Sequence, residues 1–196
     1  MRWERFFEDL EQQLDSEWEA ERAALDTEAE RLRLARLALR TRLHALAADD
    51  AEVALDVGDG DLLRGRLTGV GADWVTLDLE TPARDAAVVP IAAVSSIDAA
   101  HADLLRSARG TASVSLSAER MTFGFVLRDL VRRRVAVRVH TRSGRRYDGT
   151  IDRAGADHLD LALHEQTEPR RRAAVRGFRL VPFDAVTWVR IGGGVP

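Results

Sequence analysis

The sequence predicts an α+β chain: two tandem five-stranded small β-barrels, each preceded by a helix, with a long N-terminal helix or helical hairpin. Three observations predict it. The first is an internal repeat. Gly60, Gly65, Gly71 and Asp73 recur as Gly144, Gly149, Gly155 and Asp157, and Val53, Ala72, Leu77 and Leu79 recur as Val137, Ala156, Leu161 and Leu163, all at a shift of 84. A second block, Val89-Pro90-Ile91-Ala92-Ala93-Val94, returns as Val181-Pro182-Phe183-Asp184-Ala185-Val186 at a shift of 92. The order is kept and one loop has grown by eight residues, as in a duplicated supersecondary unit. The second observation is that residues 1–50 hold no Gly and no Pro and keep apolar residues at helical spacing. The third is a Gly in mid-strand of each repeat, Gly65 and Gly149, which permits the bend that closes a small barrel.

Residues 1–50 form the helical region. Trp3, Phe7, Leu10, Leu14 and Trp18 keep helical spacing, and Leu25, Leu32, Leu39 and Leu46 fall seven apart. A single helix of this length would far exceed a small barrel at 1.5 Å per residue, so it projects, pairs with another helix or folds back. Thr27 with Glu30 offers a capping box that would restart the helix after a break near Leu25-Asp26. The heptad is imperfect, with Arg22 and Arg36 at flanking inner positions. Pairing with a second copy through residues 1–48 and packing on the chain's own barrels both remain open.

Residues 51–98 form the first barrel. Val53, Leu55 and Val57 alternate on one strand face, residues 58–61 turn, and residues 62–70 make the bent second strand. In the next strand Val75, Leu77 and Leu79 face inward and Trp74, Thr76 and Asp78 outward. Strands at 87–90 and 94–98 complete the unit. Residues 99–116 form a linker with a short helix at 102–109. A helix over 117–134, capped by Ser117, carries Met121, Phe125, Val126, Leu130 and Val131 and ends in Arg132-Arg133-Arg134, where cations suit the helix dipole. The second barrel spans 135–191 and mirrors the first; residues 192–196 are a flexible tail.

The helix followed by five short strands, with Gly60-Asp61-Leu62-Leu63-Arg64-Gly65 and Gly71-Ala72-Asp73, then Gly144-Arg145-Arg146-Tyr147-Asp148-Gly149 and Gly155-Ala156-Asp157, resembles the Sm-like small-barrel fold. The whole pattern is similar to a set of uncharacterised actinobacterial proteins with an N-terminal helix and two such units. The resemblance implies RNA binding, often in a ring. The chain departs from the family at the base-reading position, where Sm-type proteins use Asn, because it contains no Asn; the Arg-Gly step before the last strand is replaced by Pro90-Ile91 and Pro182-Phe183.

Composition sets the remaining bounds. The absence of Cys excludes disulfides, thiolate metal sites and a Cys nucleophile. The charged N-terminus does not read as a signal peptide and no apolar run is long enough for a membrane span, so a cytoplasmic protein without membrane contact is expected. All 29 basic residues are Arg. Residues 1–100 carry 11 Arg and 22 acids, a net of −11, whereas residues 101–196 carry 18 Arg and 10 acids, a net of +8. Such a split suits an acidic partner for the second half, or docking of the halves on each other.

The basic side chains Arg142, Arg145, Arg146, Arg170, Arg171, Arg172 and Arg176, with Tyr147 as the one stacking platform, are the candidate nucleic-acid contacts. His158, Asp160 and His164 alternate on one strand, but the two His lie about 20 Å apart at 3.3 Å per residue and cannot share a metal. Asp73 and Asp157 sit at equivalent turns, where an Asp bonds its own turn backbone. No phosphate loop, nucleophile elbow or zinc motif is present. The expectation is a non-enzymatic binding protein without cofactor or metal, taking RNA or another polyanion on the second barrel. The alternative is a protein-interaction module that dimerises through the N-terminal helix.

Overall fold

The structure, a computed structural model, describes residues 2–58, 60–109, 120–165 and 174–192, with backbone alone at residues 2–15, 17 and 20. The chain divides into two compact units, residues 1–39 and 40–196.

The first unit is the helix α1 (Arg2–Ala35). It runs straight through the expected break: the Thr27 hydroxyl donates to the Ala23 carbonyl at 2.7 Å, continuing the helix rather than capping a new one. Glu30 holds Arg33 at 2.7 Å and Glu28 holds Arg31 at 3.7 Å, pairs that suit an exposed helix surface. The end comes at residues 36–38, after tightened bonds from Arg36 N–H to Arg33 and from Leu37 N–H to Leu34.

The second unit carries α2 (Leu39–Ala48), then β1 (Glu52–Val57), β2 (Asp61–Val70), β3 (Trp74–Leu79), β4 (Ala86–Pro90) and β5 (Val94–Ala99). After α3 (His101–Arg109) come α4 (Phe123–Arg133) and the second set, β6 (Ala136–Thr141), β7 (Arg146–Ala154), β8 (His158–Leu163), β9 (Gly177–Pro182) and β10 (Val186–Ile191). A 3-10 turn precedes the last strand of each set, at Ile91–Ala93 and Phe183–Ala185. Thr122 caps α4, its side chain accepting from the Phe125 N–H at 3.4 Å; the expected cap Ser117 lies outside the described residues. Arg134 closes α4 in the left-handed region at φ 52° and donates to Leu130 and Val131.

The two sets share their registers. Val53 faces Gly65 as Val137 faces Gly149, Gly65 faces Leu79 as Gly149 faces Leu163, and Trp74 faces Pro90 as His158 faces Pro182. Each Gly is required by crowding. A Cβ at Gly65 would stand 2.1 Å from the Asp78 carbonyl oxygen, and one at Gly149 2.0 Å from that of Ala162.

The expected pair of closed barrels is overturned. All ten strands form one antiparallel sheet in the order β5-β1-β2-β3-β4-β10-β6-β7-β8-β9. The first set does not close on itself, because β4 pairs with β10: Val88 faces Val189, Ala87 faces Arg190 and Ala86 faces Ile191. The hydrophobic cores cross this seam. Trp188 of β10 packs in the first core with Leu43, Leu55, Val57 and Leu77, whereas Trp74 and Val88 pack in the second with Phe123, Leu127, Val139 and Leu161. Trp74, expected outward, does leave its own repeat, but it is buried by the neighbouring one and donates through Nε1 to the Met121 carbonyl at 2.8 Å.

Candidate functional site

A cluster of polar side chains lies on the seam between the repeats. Asp61, at the start of β2, accepts three bonds from the second repeat: from Trp188 Nε1 at 3.3 Å, from His140 Nδ1 at 3.2 Å and from Arg146 at 3.2 Å. The His140 and Trp188 rings stack with centroids 3.8 Å apart. His140 is 6 % exposed. Because Asp61 can only accept, the ring proton sits on Nδ1, and Nε2 is buried without a partner. Burial pushes the His140 pKa down to about 4, against the upward pull of Asp61, with the Arg146 and Arg138 charges adding to the fall. The ring is therefore neutral at pH 7.

Two further contacts tie the seam. Asp85, buried before β4, is held by Arg190 of β10, with Nε at 2.9 Å. Arg142 donates to the Asp184 carbonyl at 2.6 Å and to the Ala92 carbonyl at 3.3 Å, so it bridges the two 3-10 turns. Within the second repeat, Arg138 grips Asp148 with two bonds, at 2.7 and 3.0 Å, which raises the Arg138 pKa.

The structure thus gathers Arg142, Arg145 and Arg146 at the β6–β7 turn, as a nucleic-acid site would need, but engages two of the three within the chain. Arg142 and Arg145 are exposed without an ion pair among the described residues, and Arg145 makes no side-chain hydrogen bond to them either. Tyr147 is half-buried against the second core with the Arg179 guanidinium 5.0 Å from its ring centroid, so its face is already taken. Arg176 binds Glu165 at 2.5 Å just beyond β8, where Leu163 faces Gly149, so it lies toward the same end of β7 as the β6–β7 turn. Arg170, Arg171 and Arg172 lie outside the described residues. At the end of α4, Arg132 and Arg133 both pair with Asp129.

The remaining candidates separate. Among the described residues no group of His, Asp and Glu could hold a metal. His164 does not share an exposed face with His158: it is buried, with Nε2 2.8 Å from the Thr150 hydroxyl and Nδ1 2.8 Å from the Glu165 carbonyl. The equivalent aspartates have diverged. Asp73 accepts from the Phe123 N–H at 2.6 Å and fixes the entry to α4. Asp157 is exposed and binds His158 at 2.8 Å, which holds its carboxyl below the usual range. Sequence reading missed Asp61, His140 and Trp188 as a unit; the only signal was a buried-type aromatic in a strand, which does not reveal its neighbour.

No described helix is long and apolar enough to cross a membrane. No protein-family model matches the chain, and no curated protein matches it.

Proposed function

We propose that the chain is a non-enzymatic protein-interaction module that self-associates through α1. The observation that carries this is the apolar stripe of that helix. Trp18, Leu25 and Leu32 recur every seven residues along α1 and are 69 %, 65 % and 50 % exposed. Large apolar side chains in a seven-residue row form a seam that a second helix buries. The seam contacts support the same reading from the other side. Arg146 and Arg176 spend their charge on carboxylates inside the chain, which leaves fewer free cations for a polyanion.

The test is light scattering on the full chain at low micromolar concentration. The parent is expected at twice the monomer mass and the Leu25→Glu, Leu32→Glu variant at the monomer mass. A monomeric parent overturns the proposal.

Exposed Arg145, beside a second half of net charge +8, favours RNA or another polyanion as a second reading. It requires binding that weakens with salt, by a slope of about −0.7 per phosphate contact on a single strand. No binding to RNA or DNA at low salt would retire it.

A further inference from the structure

Three rows of side chains run next to one another along α1. At about 100° per residue, Trp18 and Leu32 lie within about 20° of Leu25 around the helix, Glu21 and Glu28 lie about 40° and 60° to one side, and Ala29 and Arg22 lie about 40° and 60° to the other. The apolar row therefore has an acidic border and a basic border. The side chains bear this out: Trp18, Leu25, Glu21 and Arg22 line one shallow groove, and all four are exposed. Glu21 and Arg22, adjacent in sequence, stand on opposite sides of the apolar row, and neither makes an ion pair with another described residue.

Resting on the proposed pairing of α1, we infer that its partner is a second copy of α1 lying parallel and in register, with Arg22 of each chain against the partner's Glu21. Two parallel helices that face each other are related by a two-fold axis along their length. That axis sets the basic border of each helix against the acidic border of the other, so the contact of Arg22 with the partner's Glu21 forms twice, at one height. An antiparallel pair has its two-fold axis across the helices, which sets like borders together: Arg22 beside the partner's basic border, Glu21 and Glu28 beside its acidic one. Opposite charges bordering a helix seam select the partner's orientation, and like charges there oppose it. The register follows from the apolar row. Only the unshifted pair sets Trp18, Leu25 and Leu32 each against its own copy and leaves none of these exposed side chains bare. The orientation has a consequence for the rest of the chain. Helix α1 ends at Ala35 and the chain goes on into α2 from Leu39, so both chains leave a parallel pair at the same end. The two copies of residues 40–196 are tethered there at high effective concentration, and a partner with a repeated feature meets both.

The test reads orientation apart from association. The chain has no Cys, so a single new Cys labels one site in each copy of the full chain. Ser16→Cys, Ala23→Cys and Glu30→Cys fall seven residues apart on the helix face away from Leu25. With a spin label at one of these sites, pulsed EPR measures the separation between the two copies. A parallel pair in register should give the same separation at all three sites. An antiparallel pair offsets its two labels along the axis by about 3 Å for each residue from its centre, so its three separations cannot agree. A charge exchange, followed by analytical ultracentrifugation at low salt, checks the borders themselves. Arg22→Glu and Glu21→Arg should each weaken association about tenfold, and the two changes in one chain should restore it, because together they only exchange the borders. The restored double variant also guards against misfolding as the cause of the single losses. Unequal separations, or a double variant no tighter than the single ones, would overturn the parallel pairing and leave the pairing of α1 standing. A monomeric parent would overturn both.

Discussion

His140→Phe should remove a pH-dependent part of the stability. In the folded chain the His140 pKa lies at about 4, and its ordinary value is 6.5. Between those values the unfolded chain binds a proton on His140 that the folded chain refuses. Stability from this residue is therefore complete above the unfolded pKa and is lost as pH falls from 6.5 towards 4. Integrating the difference gives a loss of roughly 2 kcal/mol between pH 7 and pH 5. The physical cause is the slot between Trp188 and Asp61, which buries the ring and leaves Nε2 without a partner that could accept a second proton. Phe keeps the stacking on Trp188 and has nothing to titrate. Urea unfolding at pH 7, 6 and 5 should show the parent losing about 2 kcal/mol more than the variant across this range. The variant's absolute stability is also expected to change, because Asp61 loses a donor, but the slope is what reports the proton. Parallel pH profiles for the two proteins would refute the reasoning.

Three further outcomes are expected. Gly65→Ala and Gly149→Ala should each destabilise by about 2 kcal/mol or more in urea melts, since the added Cβ would fall within 2.1 Å of a backbone oxygen that a strand pairing fixes in place. Asp73→Ala should cost about 1–2 kcal/mol through loss of the bond to the Phe123 N–H, while Asp157→Ala should leave the melting temperature unchanged; equal effects would mean the two turns kept the same role. Asp85→Ala should destabilise by about 2–4 kcal/mol, because it strands Arg190 at the seam, and Asp85→Ala with Arg190→Met should recover much of that loss; a double variant no better than the single would deny the pairing.

The repeat was legible because its signal is local. Gly65 and Gly149 answer to a backbone oxygen one strand away, and the alternation of Val53, Leu55 and Val57 needs only its own strand's period. The approximate strand positions and the equivalence of the two sets therefore follow from the sequence. The expected helix break did not appear, since Thr27 satisfied its hydroxyl on the preceding turn and nothing at Leu25-Asp26 interrupts the backbone bonds. Among the described candidates, Arg142, Arg145, Arg146 and Arg176 were legible as exposed residues. Their partners were not, because Asp61 is 85 residues from Arg146 and Ala92 is 50 from Arg142.

By itself, then, the sequence determined two copies of a five-strand unit, a helical region before them, and opposite charge on the two copies. Only the tertiary structure decided that the copies share one sheet. Closing a barrel and extending a sheet use the same free strand edge, and the hydrogen-bonding groups on that edge are identical whichever strand they meet. The choice is made by side chains far apart in the chain: Trp188 fits the first core, Trp74 and Val88 fit the second, and Asp61 gathers the donors between them.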